Sequence, residues 1–308
     1  MQKLQSINNV RIYVISHGRP KLQQRPTCKI LDEAGLDYYM VMNEHQVDDY
    51  VNNGVDPKKI IVTTDKFEKE YMKDHRIYKV SNGFTGAVPN RERCNIDARE
   101  NGIKYALQLD DNIVQIYLRN DGIKKKYKEK YQNKMLPELV KCMRDICDST
   151  NIGMLGLTMG ATPTIEKKKI RNGYAYSFFM ENVEANIHWR GPFDDDVTHN
   201  LDFNHSGKYT NALLTLVGYT KESKSNTGMR EAYKEFYTER ASGVAALYPD
   251  HVKVGVKSKA NGKESRIYHV FTGRLHQNIK VYDVNKFAKS LHAVEQYAND
   301  YGKELKNE

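Results

Sequence analysis

Cysteine, tryptophan and long apolar segments are scarce in this sequence. Its 308 residues include four cysteines and one tryptophan. Cys28, Cys94, Cys142 and Cys147 form no CxxC pair and are too scattered for a disulfide framework. Cys142 and Cys147 lie five apart in a helical pattern, so we interpret these two as small core or flank residues. A zinc site or a catalytic thiol is not indicated. No segment approaches the roughly 18 consecutive apolar residues of a membrane span, so we expect no membrane association.

Targeting and nucleotide-binding motifs are missing as well. The first twenty residues lack the apolar region and cleavage site of a signal peptide, so we expect a cytoplasmic protein. The sequence contains neither GxxxxGK[ST] nor GxGxxG, which argues against a P-loop or a dinucleotide-binding site. A length of 308 residues suggests two domains. No linker or internal repeat is visible, and a single domain over 1–308 therefore fits best.

Apolar residues and positive charge are both plentiful. The hydrophobic content of 39% is sufficient for a sizeable core. Lysine and arginine total 48 against 39 aspartates and glutamates, which leaves a net charge of +9. This excess favours a polyanionic partner such as nucleic acid, although solubility alone is the simpler explanation.

Strand-like and helix-like segments alternate along the first third of the chain. The predicted strands are 10–16, 38–42, 59–62 and 105–109, and the predicted helices are 22–34, 47–52 and 90–101. This order predicts an α/β fold with a mostly parallel sheet flanked by helices. Ligands bind such sheets beyond the carboxyl ends of the strands, so the functional residues should lie there.

The remainder of the chain is less regular. Hydrophobic periodicity predicts an amphipathic helix over 136–147 and another from 284 onward. The other predicted strands are 113–118, 152–157, 176–183, 212–220 and 266–272, and 229–247 is predicted to be helical.

An acidic motif follows the strand at 105–109. Asp110, Asp111 and Asn112 stand together between two apolar residues, and adjacent carboxylates repel each other unless a cation lies near them. Mg²⁺ and Mn²⁺ prefer such oxygen ligands. The alternative is a polar turn, which favours the same residue types.

Two further polar segments are candidates for holding a phosphorylated ligand. Asn90, Arg91 and Arg93 lie at the start of a predicted helix, where phosphate binds well and arginine contacts it with two nitrogens. The first strand ends in a polar turn that contains Ser16, His17 and Arg19. A capped helix start explains Ser16 but leaves Arg19 unexplained.

These motifs, in this order, resemble those of nucleotide-sugar glycosyltransferases with the GT-A fold. The resemblance covers roughly 9–118. More narrowly, the sequence is similar to the TET/JBP-associated glycosyltransferases, phage and protist enzymes that attach sugars to hydroxymethylated pyrimidines in DNA. The family implies a GT-A-like, Rossmann-like sheet, with a nucleotide-sugar-binding half at 1–118, an acceptor-binding half at 119–283 and a C-terminal helix at 284–308. If the protein is encoded by a phage, its compartment is the host cytoplasm.

The resemblance also implies ligands for the residues quoted above. The donor is a nucleoside diphosphate sugar, with UDP-sugar the first choice, and the cofactor is Mn²⁺ or Mg²⁺. The residues implied for donor binding are Ser16, His17, Arg19, Asn90, Arg91, Arg93 and Asp110. The implied metal ligands are Asp110, Asp111, Asn112 and His269. Asn112 is a departure, because many relatives have a third aspartate there.

A second acidic cluster consists of Asp194, Asp195 and Asp196. By resemblance it faces the acceptor, with Asp196 the first choice for the base that deprotonates the acceptor hydroxyl and Asp195 the second. Neighbouring carboxylates raise one another's pKa, which suits this task. The alternative is a solvated acidic loop or a helix cap.

The late histidine His269 lies on a predicted strand. GT-A enzymes often supply a metal ligand from such a position, and imidazole suits Mn²⁺ better than Mg²⁺. His276 competes for this role, and a packing role in the core is the simpler alternative.

A basic run follows the acidic motif and could track a phosphate backbone and stack bases. The residues predicted to bind DNA are Lys124, Lys125, Lys126, Tyr127, Lys128 and Lys130. The alternative is a solvated charged loop. Two other functions remain open: the same chemistry on a polysaccharide, glycolipid or protein acceptor, and a non-catalytic nucleic-acid-binding protein on a degenerate transferase fold.

Overall fold

The computed structural model describes most of the chain. The described residues are 4–77, 85–120, 123–126, 129–160, 168–222, 236–257, 266–272 and 277–304. The described strands are β1 (Val10–Ile15), β2 (Tyr39–Asn43), β3 (Ile60–Thr63), β4 (Tyr105–Asp110), β5 (Ile113–Asn120), β6 (Ile123–Lys126), β7 (Ile152–Met159), β8 (Ile170–Asn172), β9 (Phe178–Asn182), β10 (Thr210–Lys221), β11 (Val252–Lys257) and β12 (Arg266–Phe271). The described α-helices are α1 (Pro26–Glu33), α2 (Val47–Asn52), α3 (Asp65–His75), α4 (Val88–Glu100), α5 (Glu129–Asp148), α6 (Asp195–His205), α7 (Tyr237–Leu247) and α8 (Val284–Glu304).

One large sheet organises the fold. Its strand order is β3-β2-β1-β4-β9-β7-β10-β5-β6, and β8 pairs with β10. Strands β1 to β4, β6, β7 and β10 run in one direction, whereas β5, β8 and β9 run in the other. The predicted α/β sheet, with most strands running the same way, is therefore confirmed. Strands from both halves of the chain contribute to it.

Helices cover both faces of this sheet. On one face the main core joins α1, α5 and α8 to the strands. On the other face Cys94 and Ala98 of α4 pack on β1, β2 and β4, and Phe203 of α6 packs with Phe179 of β9. The burial of both faces explains why central strands such as β4, with the sequence YALQLD, have almost no exposed residue.

A smaller unit packs beside the second half of the sheet. Strands β11 and β12 form an antiparallel pair. Val244 of α7 and Val252 of β11 pack against Val197 and Leu201 of α6. The predicted strand at 266–272 is confirmed by β12, which this packing brings next to the start of α6.

Most of the predicted elements agree with the structure within two or three residues. Helix α3 was missed, because its sequence DKFEKEYMKDH carries few apolar residues and buries only Met72. Strand β11 was missed as well. The four cysteines are free and buried, which agrees with the interpretation of Cys142 and Cys147 as core residues. Among the described helices, none is long and apolar enough to cross a membrane.

Candidate active site

The end of strand β1 holds Asp111 in place. Ser16 donates a hydrogen bond of 2.6 Å to Oδ2 of Asp111, and Arg19 forms an ion pair with Oδ1. The intervening Gly18 has a φ of +66°, which favours glycine. Tyr50 of α2 contacts the same turn through its hydroxyl, 2.7 Å from Oγ of Ser16. The first strand and the acidic motif, far apart in sequence, thus meet at one edge of the sheet.

Asp110, at the carboxyl end of β4, lies between two cationic side chains. Nη2 of Arg91 is 3.1 Å from its Oδ1, and Nζ of Lys221 is 2.6 Å from its Oδ2. Burial by itself would raise the pKa of Asp110, but Lys221 and then Arg91 outweigh it and hold the pKa well below its usual value. Asp110 is therefore a stable carboxylate.

Asp111 differs from its neighbour in its ionisation. Burial raises the pKa of Asp111 to about 6, although Arg19 and Ser16 act in the opposite direction. The next residue, Asn112, has a buried Oδ1 atom that makes no hydrogen bond among the described residues. Its backbone oxygen accepts from the backbone amide of Glu222, just after β10.

Arg91 connects the two acidic clusters. Its Nε lies 3.1 Å from Oδ2 of Asp195, while its Nη2 contacts Asp110. The residue is only 6% exposed, and its guanidinium lies 5.0 Å from the ring centre of Trp189. The Nη1 atom is buried and has no hydrogen-bond partner in the described part of the chain. A buried charged donor without a partner is rare in folded proteins, and an ordered water molecule would satisfy it.

Asp194 is held rigidly just before helix α6. Its φ of +48° lies in the left-handed region. Arg240 of α7 donates to both of its carboxylate oxygens, and Nδ1 of His269 lies 3.1 Å from Oδ2. Burial would raise the pKa of Asp194, but His269 and Arg240 lower it below its ordinary value. Both carboxylate oxygens of Asp194 are thus engaged, which makes it less suited than Asp196 to accept a proton.

Asp195 and Asp196 form the first turn of α6. Asp195 is buried and pairs with Arg91, and burial raises its pKa. Asp196 is only half-buried, and its Oδ1 accepts from the amide of Val197. Burial, followed by the charges of Asp195 and Asp194, raises the pKa of Asp196 to about 7. Asp196 thus has both the accessibility and the pKa that suit a general base near neutral pH.

The remaining residues predicted to bind the donor do not all lie together in the structure. Asn90 is buried and donates to Asn43 at the end of β2, 3.0 Å away. His17 lies in the β1 turn, where its Nδ1 is 2.7 Å from Nε2 of Gln46. Arg93 instead pairs with Glu100 along α4, away from Asp110.

The predicted metal ligands are not arranged as a metal site. Both oxygens of Asp110 face cationic groups, and those of Asp111 face Ser16 and Arg19. His269 lies with Asp194 rather than with Asp110. Within the residues that the structure describes, no group of three or more His, Cys, Asp or Glu side chains could hold a metal ion. As arranged, these side chains do not fit a divalent cation.

The predicted DNA-binding run falls largely outside the described residues. Lys124, Lys125 and Lys126 lie on β6, the edge strand of the sheet, and Lys130 lies in the first turn of α5. The side chains of these four residues, and all of Tyr127 and Lys128, are outside the described part. His276, the alternative to His269, is outside it as well.

Two residues of the site were missed in the sequence. Lys221 directly follows the predicted strand 212–220, so the strand-end rule that drew attention to Asp110 could have found it. Arg240 lies within a helical segment and carries no such signal. Its role becomes visible only when α7 packs beside α6.

The sequence can now be placed among known proteins. A family model described as TET-associated glycosyltransferase matches residues 10–228. This match covers most of the chain, including β1, α4, β4, α6 and β10, whereas α7 and β12 lie beyond it. The chain belongs to the TET-associated glycosyltransferase family, and the family prediction made from its motifs is confirmed. No curated protein matches the sequence.

Two solved structures are similar over most of the chain. One is the glucosyl-3-phosphoglycerate synthase from Mycobacterium tuberculosis in complex with Mn²⁺, UDP and phosphoglyceric acid. It has 7% sequence identity and a TM-score of 0.44, with 86% of this chain and 87% of the other covered. The other, a mycobacterial protein, has 9% identity and a TM-score of 0.42, with 84% and 82% covered. Since both scores are below 0.5, the family assignment rests on the family model.

Proposed function

We propose that this protein transfers a sugar from a nucleoside diphosphate sugar, with UDP-sugar the first choice, to a hydroxymethylated pyrimidine in DNA. The observation that carries the proposal is the pair of acidic clusters joined by Arg91. Asp110 marks the donor side at the end of β4, and Asp196 marks the acceptor side at the start of α6. Membership of the TET-associated family supports the choice of a hydroxymethylated base.

Asp196 is proposed to act as the general base. It accepts the proton of the acceptor hydroxyl, whose oxygen then attacks the anomeric carbon of the donor sugar. The bond between that carbon and the diphosphate oxygen breaks, and the nucleoside diphosphate leaves with the electron pair. A pKa of about 7 leaves a substantial fraction of Asp196 ionised at neutral pH.

The donor is proposed to bind across the ends of β1 and β4. Ser16 and Arg19 lie on the β1 turn, and Asn90 and Arg91 lie in the first turn of α4. Arg93 is the weakest member of the predicted set, because it pairs with Glu100.

Metal dependence was predicted from the sequence, but it is not part of the proposed function. The side chains predicted as ligands are engaged by Arg91, Lys221 and Arg19, so no step of the proposed reaction is assigned to Mn²⁺ or Mg²⁺. The DNA acceptor is supported by the net charge of +9. The run of lysines from Lys124 to Lys130 is proposed to contact the DNA backbone.

The proposal is tested by incubating the purified protein with hydroxymethylcytosine DNA, hydroxymethyluracil DNA and unmodified DNA. A panel of nucleotide sugars is supplied as donors, and the digested nucleosides are analysed by mass spectrometry. The expected result is a hexose or similar mass increment on one hydroxymethylated base. Nucleotide-sugar turnover only with a polysaccharide, glycolipid or protein acceptor would contradict the DNA assignment. DNA binding without any turnover would favour the non-catalytic alternative.

A further inference from the structure

Lys221 has no role in the function described so far, yet it lies at the centre of the donor side. It is the last residue of β10, and the pairing of β10 with β5 shifts register between Thr220 and Lys221. The unpaired residue at this shift is Val114 on β5, and irregularities of this kind are common beside active sites. Here Nζ of Lys221 contacts Oδ2 of Asp110 at 2.6 Å and Oγ of Ser177 at 2.8 Å.

The hydrogen-bonding capacity of Lys221 is not exhausted by these contacts. A lysine ammonium has three N–H donors, and Asp110 and Ser177 account for two of them among the described residues. The side chain remains 28% exposed. A further donor is therefore available to a ligand on the side that is open to solvent.

The charge at this position is also significant. The carboxylate of Asp110 alone would repel a diphosphate bound at the end of β4. Lys221 on one oxygen and Arg91 on the other offset this charge. Because Arg91 also pairs with Asp195, the two carboxylates and the two cations are together neutral rather than negative. This arrangement presents fixed cationic donors at the place where a metal ion was predicted from the sequence.

We propose that Lys221 is a catalytic residue that binds the diphosphate of the donor and stabilises the negative charge of the departing nucleoside diphosphate, without a divalent metal. The proposal rests on the proposed function, because it assumes a nucleoside diphosphate sugar as donor. Preorganised cationic donors aimed at developing charge are an effective way to lower a reaction barrier.

The test measures binding of the four ribonucleoside diphosphates UDP, GDP, ADP and CDP by calorimetry, with chelator and then with added Mn²⁺. The wild-type protein should bind one of them in chelator. Lys221→Met should weaken that binding by about 10- to 100-fold, the effect of losing a charge-assisted hydrogen bond. Lys221→Arg keeps the charge, so its affinity for the diphosphate should be much closer to that of the wild type. The matched control is Lys208→Met, because Lys208 is an exposed lysine beside Tyr209. This change should leave the affinity for the diphosphate unaltered.

A double variant distinguishes two roles of Lys221: binding the diphosphate, and only neutralising the charge of Asp110. The double variant Asp110→Asn/Lys221→Met removes both charges of this ion pair, so neither an unpaired carboxylate nor an unpaired ammonium group is left behind. If Lys221 binds the diphosphate, the double variant stays defective. Restored binding in the double variant would overturn the proposal. Binding by the wild type only with Mn²⁺, or undiminished binding by Lys221→Met, would overturn it too.

These outcomes do not depend on the acceptor. If the DNA assignment fails, DNA gains no sugar while the binding results for Lys221 stand. If the wild type binds no diphosphate in either buffer, that result contradicts both the nucleoside diphosphate sugar as donor and the proposed role of Lys221.

Discussion

The Nε atom of Arg91 lies 3.1 Å from Oδ2 of Asp195, a residue 104 positions further along the chain. This contact connects the first turn of α4 to the first turn of α6. The same guanidinium reaches Asp110 at the end of β4. A single buried side chain therefore links the end of β4 to the start of α6.

Removing Arg91 should destabilise the protein strongly. Arg91→Met leaves the buried Asp195 without its partner, and breaking a buried ion pair costs about 3–5 kcal/mol. We expect a loss of this size in the free energy of unfolding, measured with urea. The matched control on the same helix is Arg93→Met, whose pair with Glu100 is exposed and should cost at most ~1 kcal/mol. Equal losses in the two variants would contradict the bridging role of Arg91.

Asp196→Asn tests the general base. The change keeps the shape of the side chain and removes its ability to take a proton, so turnover should fall by roughly 10²- to 10⁴-fold while donor and DNA binding survive. The companion Asp195→Asn should lower stability as well, because it weakens the pair with Arg91. Near-wild-type turnover in both single variants and in the double variant would remove the cluster from the mechanism.

The stereochemistry of the product is a separate expectation. Direct attack by a deprotonated acceptor inverts the configuration at the anomeric carbon. We expect the glycosylated nucleoside to show inverted configuration by NMR. Retention would mean that the leaving phosphate takes the proton and that the cluster only positions the acceptor.

The pH profile should report the ionisation of Asp196. Its pKa is raised to about 7, and only the deprotonated form can act as a base. Turnover should therefore rise by about tenfold per pH unit below this pKa and level off above it. In Asp196→Asn the residual activity should lose this inflection. A wild-type profile that is flat from pH 5 to pH 8 would argue against the assignment.

The basic run on β6 should carry part of the affinity for DNA. Replacing Lys124, Lys125 and Lys126 with alanine removes three charges. If each contacts a phosphate of duplex DNA, the slope of log affinity against log salt should shrink by about 0.9 per lost contact. Nucleoside diphosphate binding should be unaffected. The control replaces the exposed lysines Lys66, Lys208 and Lys253, and an equal change in both triple variants would show that only net charge matters.

Much of the first half of the fold could be predicted from the sequence. Strands such as β1 and β4 are apolar and short, and each is followed by polar residues that mark its end. The rule that ligands bind at the carboxyl ends of such strands directed attention to Ser16 and Asp110, and the structure brings both turns together. Helix α3 escaped because only Met72 on it is fully buried, so its apolar pattern is weak.

The partners of the charged residues could not be predicted in the same way. The late histidine was predicted as a metal ligand, yet His269 lies beside Asp194 because the pair of β11 and β12 packs, through α7, against α6. Lys221 contacts Asp110 because β10 ends close to the end of β4 in the folded chain, where the pairing of β10 with β5 shifts register. The position of Lys221 at a strand end could be found in the sequence, but which acidic group it or His269 contacts could not.

The sequence by itself determined which elements form and which residues carry charge, since hydrophobic periodicity and strand-end chemistry act over short distances along the chain. The tertiary structure alone decided which charges meet. Arg91, Asp110, Asp195 and Lys221 come from four separate elements, and their pairing depends on the order of strands in the sheet and on how α4 and α6 pack on it. The pKa values of Asp110, Asp111 and Asp196 diverge for the same reason, because burial and neighbouring charge are properties of the packed chain.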